Sequence, residues 1–560
     1  MKKYIIVTIL FLMILFTSAG CMFPAANDTA ASTVPTEETT QSIPEETTEP
    51  PRIWETGYIA SLSTEVEYFD EAGLSLGTLP RGTQVQYDGT EILLEDHIVY
   101  LQEDASIVAD IAQIIPTHTL YVRTAVNLRD AEGNVLTDLA DKGAAVEVIG
   151  YDYIMQNGQA HMYRVNETGY IMPWYLTDSE EAALANYDDG DYATHADRSN
   201  RFGGGGAADL DYFPREKGPI EGNDMPEECR TLYIASWRVS AVDEYIEIAN
   251  NCGINAFVVD IADGSAIGYA ADVMIENCPS AAAAACNSTE VYKAAIAKLK
   301  DNGYYVIGRI TTFNDSYFIA DHPEYAITDP NGNPLKLSGN YWPTPYNRAA
   351  WQYKVDLAVE AVELMGFNEI QFDYVRFPDL TYNYEKNGTI DFHNTYGETK
   401  AQAIQRFLMY ATDIIHEHGA YVSADVYGES AYNYVTAYGQ YWPAISNVVD
   451  VISGMPYPDH FSPSGDYHPW EHPYDTLYSW GSCVKSRQEE TATPAAVRTW
   501  IQAYNAIREP YNTYGPTEVF SQIRALRDTG CTGGYMTWNS GSSTDKYRSL
   551  MSAFTPPEES

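Results

Sequence analysis

The stretch that decides the fold runs Gly366-Phe367-Asn368-Glu369-Ile370-Gln371-Phe372-Asp373-Tyr374-Val375-Arg376-Phe377-Pro378. Successive side chains of a strand point to opposite sides, so Ile370, Phe372 and Tyr374 share an apolar face while Gln371 and Asp373 share the other. Amphipathic segments of helix length precede it (349–366) and follow it (395–418). A strand held between two such segments belongs to a parallel sheet whose crossovers are helices.

The same unit recurs outward in both directions. Strands are expected at Thr231–Trp237, Ala256–Asp260, Tyr304–Ile310, Glu369–Tyr374, Tyr421–Tyr427, Val449–Met455, Arg498–Tyr504 and Gly533–Trp538. Helices fit at 240–252, 289–302, 438–446, about 474–489, 517–529 and 544–553, besides the two already named. Eight strand–helix pairs over residues 230–556 make an α/β fold of the (β/α)8 TIM-barrel type. A doubly wound open sheet would carry a Gly-rich phosphate turn after its first strand, and Trp237-Arg238-Val239-Ser240 is not one.

Strand parity then picks out the barrel interior. It turns Asp373 inward near the C-terminal end of the fourth strand, and Ser423 and Asp425 inward on the fifth. Asp260 points inward on the second strand with Asp263 on the loop beyond; Ile307, Arg309 and Thr311 point inward on the third, Gln502 and Tyr504 on the seventh. A charge inside a barrel is costly unless it sits with a partner at the wet mouth. Two carboxyl groups at adjacent strand ends suit cleavage of an acetal, which needs a proton donor for the leaving oxygen and a carboxylate to attack carbon or activate water. Asp373 is expected as nucleophile or base and Asp425 as donor, since burial raises a carboxyl pKa. Asp260, Asp263, Arg309, Gln371, Arg376, His460 and Gln502 are expected to bind substrate, Arg376 by holding Asp373 ionised or by meeting a hydroxyl. Trp237, Trp342, Tyr457 and Trp538 are candidates to stack on sugar faces. The plainer reading makes Asp373 half of a structural pair with Arg376 or Arg309. No metal-ligand spacing appears among the histidines, and no cofactor is expected.

Lysine plus arginine number 33 against 78 aspartates and glutamates, a formal charge of −45, which disfavours nucleic acid as a partner and leaves neutral polysaccharides open. Tyrosine, at 45 against 17 phenylalanines, suits wet surfaces and sugar faces. At the front, Lys2 and Lys3 precede a short apolar run, Tyr4 to Phe16, then Thr17-Ser18-Ala19-Gly20-Cys21. This resembles a lipoprotein signal peptide (1–20) with Cys21 as the lipidated residue, which implies export and a lipid anchor on the outer face of the membrane, or secretion if the lipid is not added. Residues 21–52, rich in Thr, Glu and Pro, read as a tether. Six further cysteines form no CxxC pair.

Residues 117–178 carry short strands and turns. Val126-Asn127-Leu128-Arg129, the run Lys142 to Gly150, Thr168-Gly169-Tyr170-Ile171 and Trp174-Tyr175-Leu176 resemble the bacterial SH3-like module. Residues 53–116 look like a degenerate copy. Such modules imply a contact with cell-wall peptidoglycan or a spacer role. Residues 179–229, acidic and centred on Gly203-Gly204-Gly205-Gly206, read as a linker, the alternative being a loop packed on the barrel.

The barrel itself resembles the bacterial family of "putative glycosyl hydrolase" (β/α)8 domains, distantly similar to alpha-amylase-like enzymes. The resemblance rests on the stretch quoted first, on Tyr305 to Ile310, Ser423-Ala424-Asp425-Val426-Tyr427-Gly428, Tyr457-Pro458-Asp459-His460-Phe461 and Arg498-Thr499-Trp500-Ile501-Gln502. It implies a nucleophile at Asp373. Amylase-like barrels usually carry a glutamate donor on the fifth strand, so the donor stays open between Asp425 and Glu429. They also carry an arginine where this chain has Gln371. The expected activity is hydrolysis of O-glycosidic bonds in an extracellular or wall polysaccharide; the alternative is a surface protein that binds carbohydrate without cleaving it.

Overall fold

The computed structural model describes residues 52–103, 105–166, 169–185 and 203–555. Residues 1–20, Cys21 and most of the expected tether lie outside them. Trp54–Ser560 forms one compact unit. Among the described residues no helix is long and apolar enough to cross a membrane.

The N-terminal part is all-β. Two seven-stranded antiparallel sheets are built from Glu55–Val108 and His118–Thr177, and their strands follow the same spatial order, third-second-sixth-fifth-fourth-first-seventh within each. Alternation forms their cores: on Ala145–Tyr151, Val146 and Val148 are buried while Glu147 faces out. Arg81 ties the first sheet to the second, its Nε donating to the Gly158 carbonyl at 2.8 Å.

The C-terminal part is mixed α/β, a near-closed, TIM-barrel-like ring of parallel strands. We label them β1 Cys229–Ile234, β2 Ala256–Asp263, β3 Tyr305–Thr311, β4 Glu369–Asp373, β5 Tyr421–Tyr427, β6 Val451–Met455, β7 Thr499–Gln502 and β8 Gly534–Trp538. Their order is β6-β5-β4-β3-β2-β1-β8-β7, and a ninth segment, Ala496–Val497, pairs with β6. That segment and β7 are separated in the chain by Arg498 alone, whose N–H donates to Ile452 O at 3.1 Å. The helices that follow the strands are α1 Val242–Asn250, α2 Thr289–Asp301, α3 Arg348–Met365, α4 Lys400–Glu417, α5 Trp442–Ser446, α6 Pro473–Glu489, α7 Pro516–Asp528 and α8 Thr544–Phe554.

Local signals set the edges of β4. Asn347 caps α3 by accepting the Ala350 N–H, and Gly366 ends it in the left-handed region at φ 75°. Past Asp373, Tyr374 takes φ 50°, which ends the strand and breaks its alternation. Outward residues such as Ile370 and Phe372 join the large core under the helices. Inward residues form a separate, smaller core that includes Tyr233, Ile307, Tyr457, Trp500 and Met536.

The glycine-rich stretch is not a free linker where it is described. Leu210 and Tyr212 are buried with Tyr441 and Ala444 of the barrel, and Gly204 O accepts the Ala401 N–H at 3.0 Å. A Cβ on Gly204 would lie 1.8 Å from Thr436 O, so glycine is needed there for close approach rather than for mobility. The second β sheet is also fixed to the barrel. Arg129 Nη2 and Tyr175 OH each donate to Asp413 Oδ2 of α4 at 2.7 Å.

Candidate active site

One arginine organises the barrel mouth. Arg309, on β3, donates from Nη1 to Asp260 Oδ1 at 2.7 Å and from Nη2 to Asp373 Oδ2, and its Nε lies 3.8 Å from Asp425 Oδ2. Parity and register bring these together. Asp260 on β2 lies opposite Arg309, and Thr311 lies opposite Asp373 on β4. Asp425 lies on β5 opposite Ser453. All four charged side chains are buried, Asp373 being the most open at 6% exposure against 1% for Asp425.

The rest of the cluster tunes these charges. Tyr233 OH donates to Asp260 Oδ2, and Trp500 Nε1 donates to Asp425 Oδ1 at 2.7 Å. The Tyr374 N–H donates to Asp373 Oδ1 at 2.6 Å. The Trp538 ring, 5.6 Å from Arg309 Cζ, closes one side. Burial pushes Asp425 well above the usual carboxylate range, and the charge of Asp373 pushes it further, against the pull of Arg309 and Trp500. Burial also raises Asp260, to about 6, with Arg309 opposing. Asp425 Oδ2 and Arg309 Nε are both buried without a hydrogen-bond partner, which leaves unused polar capacity at the centre of the mouth.

The expected site residues divide. Asp260, Arg309, Asp373 and Asp425 meet as described, with Trp538 and Tyr457 beside them. Asp263 stands at the end of β2, 3.4 Å from Thr311 Oγ1. Arg376 does not hold Asp373: its Nη2 donates to Tyr427 OH at 2.6 Å, and its guanidinium lies among the rings of Trp342, Tyr374, Tyr427 and Tyr438. The turn at Tyr374 carries it away from the strand's inward face. Trp342 is buried, its Nε1 on Leu337 O at 3.1 Å, so it offers no face to a sugar. Gln371 is fully buried deeper in the barrel beside Ser453 and Met536. Gln502 is also fully buried and accepts the Asp459 N–H at 3.2 Å. His460 is exposed on the next loop, its ring 5.1 Å from that of Tyr457. Trp237 is 49% exposed. Glu429, the other candidate donor, accepts from Tyr434 OH at 3.0 Å and from Tyr438 OH at 2.9 Å. Tyr233 and Trp500 escaped the sequence reading, although the parity that turned Gln502 inward turns Trp500 inward too.

A family model described as "Putative glycosyl hydrolase domain" matches residues 231–544. The chain belongs to this family. The matched glycosyl hydrolase domain takes in every barrel strand except the first two residues of β1. Among solved structures, a hypothetical protein from Ruminiclostridium thermocellum is 33% identical over 35% of this chain and 97% of its own, with a TM-score of 0.29. The PgaB (BpsB) glycoside hydrolase domain from Bordetella bronchiseptica is 13% identical over 58% of this chain and 99% of its own, TM-score 0.41. Streptomyces plicatus beta-hexosaminidase is 11% identical over 60% and 64%, TM-score 0.38. No curated protein matches the chain.

Proposed function

We propose that the protein is a glycoside hydrolase in which Asp373 is the nucleophile or base and Asp425 the proton donor. The observation that carries this reading is the unequal setting of two carboxyl groups on adjacent strand ends. Asp373 accepts hydrogen bonds from a backbone N–H and a guanidinium and is the most open of the clustered carboxyl groups. Asp425 is sealed and pushed well above the usual carboxylate range, which favours its protonated form. Splitting two acids in this way assigns one to each half of acetal cleavage. Arg309 keeps the pair in register, and the partly exposed Trp538 offers an apolar face for the sugar.

Reducing ends released from a panel of wall and plant polysaccharides test the reading. The wild-type protein is expected to release them, and Asp373→Asn to lose at least about a hundredfold in rate with its fold intact. A second reading is favoured by one observation: Asp425 is 1% exposed, as a purely structural partner of Arg309 would be. Under it the barrel binds glycans without cleaving them, and wild type and Asp373→Asn bind alike.

The front of the chain fits a surface enzyme. We propose export, lipidation of Cys21 and a Thr/Glu/Pro tether, with the two β sheets as SH3-like modules facing the wall; their shared strand order supports a duplicated unit. Metabolic labelling with a fatty-acid analogue, lost in Cys21→Ala, tests the anchor. Pull-down on purified peptidoglycan tests the modules.

A further inference from the structure

The loops after β5 and β6 wall a second hollow, a cleft of about 830 Å³. Its aromatic faces come from Tyr432, Tyr434, Phe461 and Tyr467. The rings of Tyr432 and Tyr434 stack 6.0 Å apart at 21°, and Tyr432 and Tyr467 stay 38% and 41% exposed. Large rings left open in a concave wall are the usual lining of a ligand site.

The polar lining has one sign. Glu429, Asp379 and Asp475 supply carboxylates, and among the described residues no lysine or arginine lines the cleft. Asp379 faces Arg376 at 3.6 Å, while Glu429 accepts from the hydroxyls of Tyr434 and Tyr438. Partial desolvation on the cleft wall lowers the pKa of His460, against the pull of Asp459, so it adds little positive charge there. A concave wall lined by one sign of charge concentrates ligands of the other.

The cleft adjoins the barrel mouth. Tyr427, last residue of β5, lines it and lies two residues past Asp425. Met455, last residue of β6, lines it too, and His460 packs against Tyr457 of the inner core.

We propose that this cleft holds the sugar units next to the one at Asp373, and that it selects polymers carrying protonated amino groups over uronic-acid polymers. The role beside Asp373 rests on the hydrolase reading; binding in the cleft does not.

The test uses full-length protein carrying Asp373→Asn, titrated calorimetrically with three length-matched hexamers: glucosamine, N-acetylglucosamine and galacturonate. The glucosamine hexamer should bind about tenfold more tightly than its acetylated form, ~1.4 kcal/mol, with no heat from the galacturonate. Raising salt should weaken the first and leave the second unchanged. Adding Tyr432→Ala or Glu429→Gln should each cost the glucosamine hexamer about tenfold. Equal binding of all three hexamers overturns the charge selection, and insensitivity to Tyr432→Ala overturns the location. If glucosamine oligomers bind as expected while the wild type cleaves nothing, the hydrolase reading fails and the cleft stands.

Discussion

Inside the ring of strands, among the described residues, lie two buried arginine–carboxylate clusters, one at each end, and they differ in charge balance. At the N-terminal end, Arg498 Nη1 donates to both oxygens of Glu369 at 2.7 and 2.9 Å, and Tyr305 OH adds a third bond at 3.0 Å. One cation meets one anion. At the C-terminal end one cation, Arg309, meets Asp260, Asp373 and Asp425, with polar atoms left over. The balanced cluster joins β3, β4 and Arg498, and its two charges cancel, although Arg498 Nε, like Arg309 Nε, is buried without a hydrogen-bond partner. The crowded one raises the pKa of Asp260 and Asp425 above the usual carboxylate range. Barrels place stability at the first end and chemistry at the second, and the charge count separates the two without reference to any substrate.

The largest effect that sharpens this contrast lies at the balanced end. Glu369→Gln leaves Arg498 buried without a counter-charge and should cost about 3–5 kcal/mol in denaturant unfolding. Activity per folded molecule should be retained. Asp425→Asn should do the reverse, leaving stability unchanged or higher while removing hydrolysis. If both variants lose stability equally, the two ends do not differ as argued.

The next effect is in pH. Asp260 binds its proton more tightly folded than unfolded, with its pKa raised to about 6. The folded state therefore holds an extra proton between about pH 4 and about pH 6, and stability falls as pH rises through that window. For a group 1% exposed the fall is roughly 3 kcal/mol. Asp260→Asn should flatten the slope, read as chemical-denaturation midpoints from pH 3.5 to 7; an unchanged slope would place the titration elsewhere.

Smaller still is Trp500→Phe, which removes the N–H held on Asp425. It should cost about 1–2 kcal/mol. Because that bond favours the ionised carboxylate, its loss should move the alkaline limb of the hydrolysis profile to higher pH. A shift to lower pH would remove Asp425 from the donor's role.

Much of this architecture was legible in the residues. Alternation over five or six positions put Asp260, Arg309, Asp373 and Asp425 inside, and all four are there. The same rule over Arg498–Tyr504 reaches Trp500 as well. Other expectations failed for physical reasons. Arg376 follows the left-handed Tyr374, where a period of two no longer counts, and it turns into an aromatic cage instead of towards Asp373. Trp342 lies between β3 and α3 in a loop with no periodicity to report its burial. Four glycines in a row read as a linker, yet Gly204 is glycine because Thr436 O leaves no room for a Cβ.

What the sequence by itself determined is therefore everything governed by short-range repeat. The strand–helix alternation, the inward parity of each strand and the presence of acids at the ends of β4 and β5 all recur within a few residues. Tertiary structure alone decided which of those acids share a cation. Arg309 reaches Asp260, Asp373 and Asp425 across strands separated by up to 116 positions from it. Proximity of that kind comes from closing a ring of strands, and no local pattern in the chain encodes it.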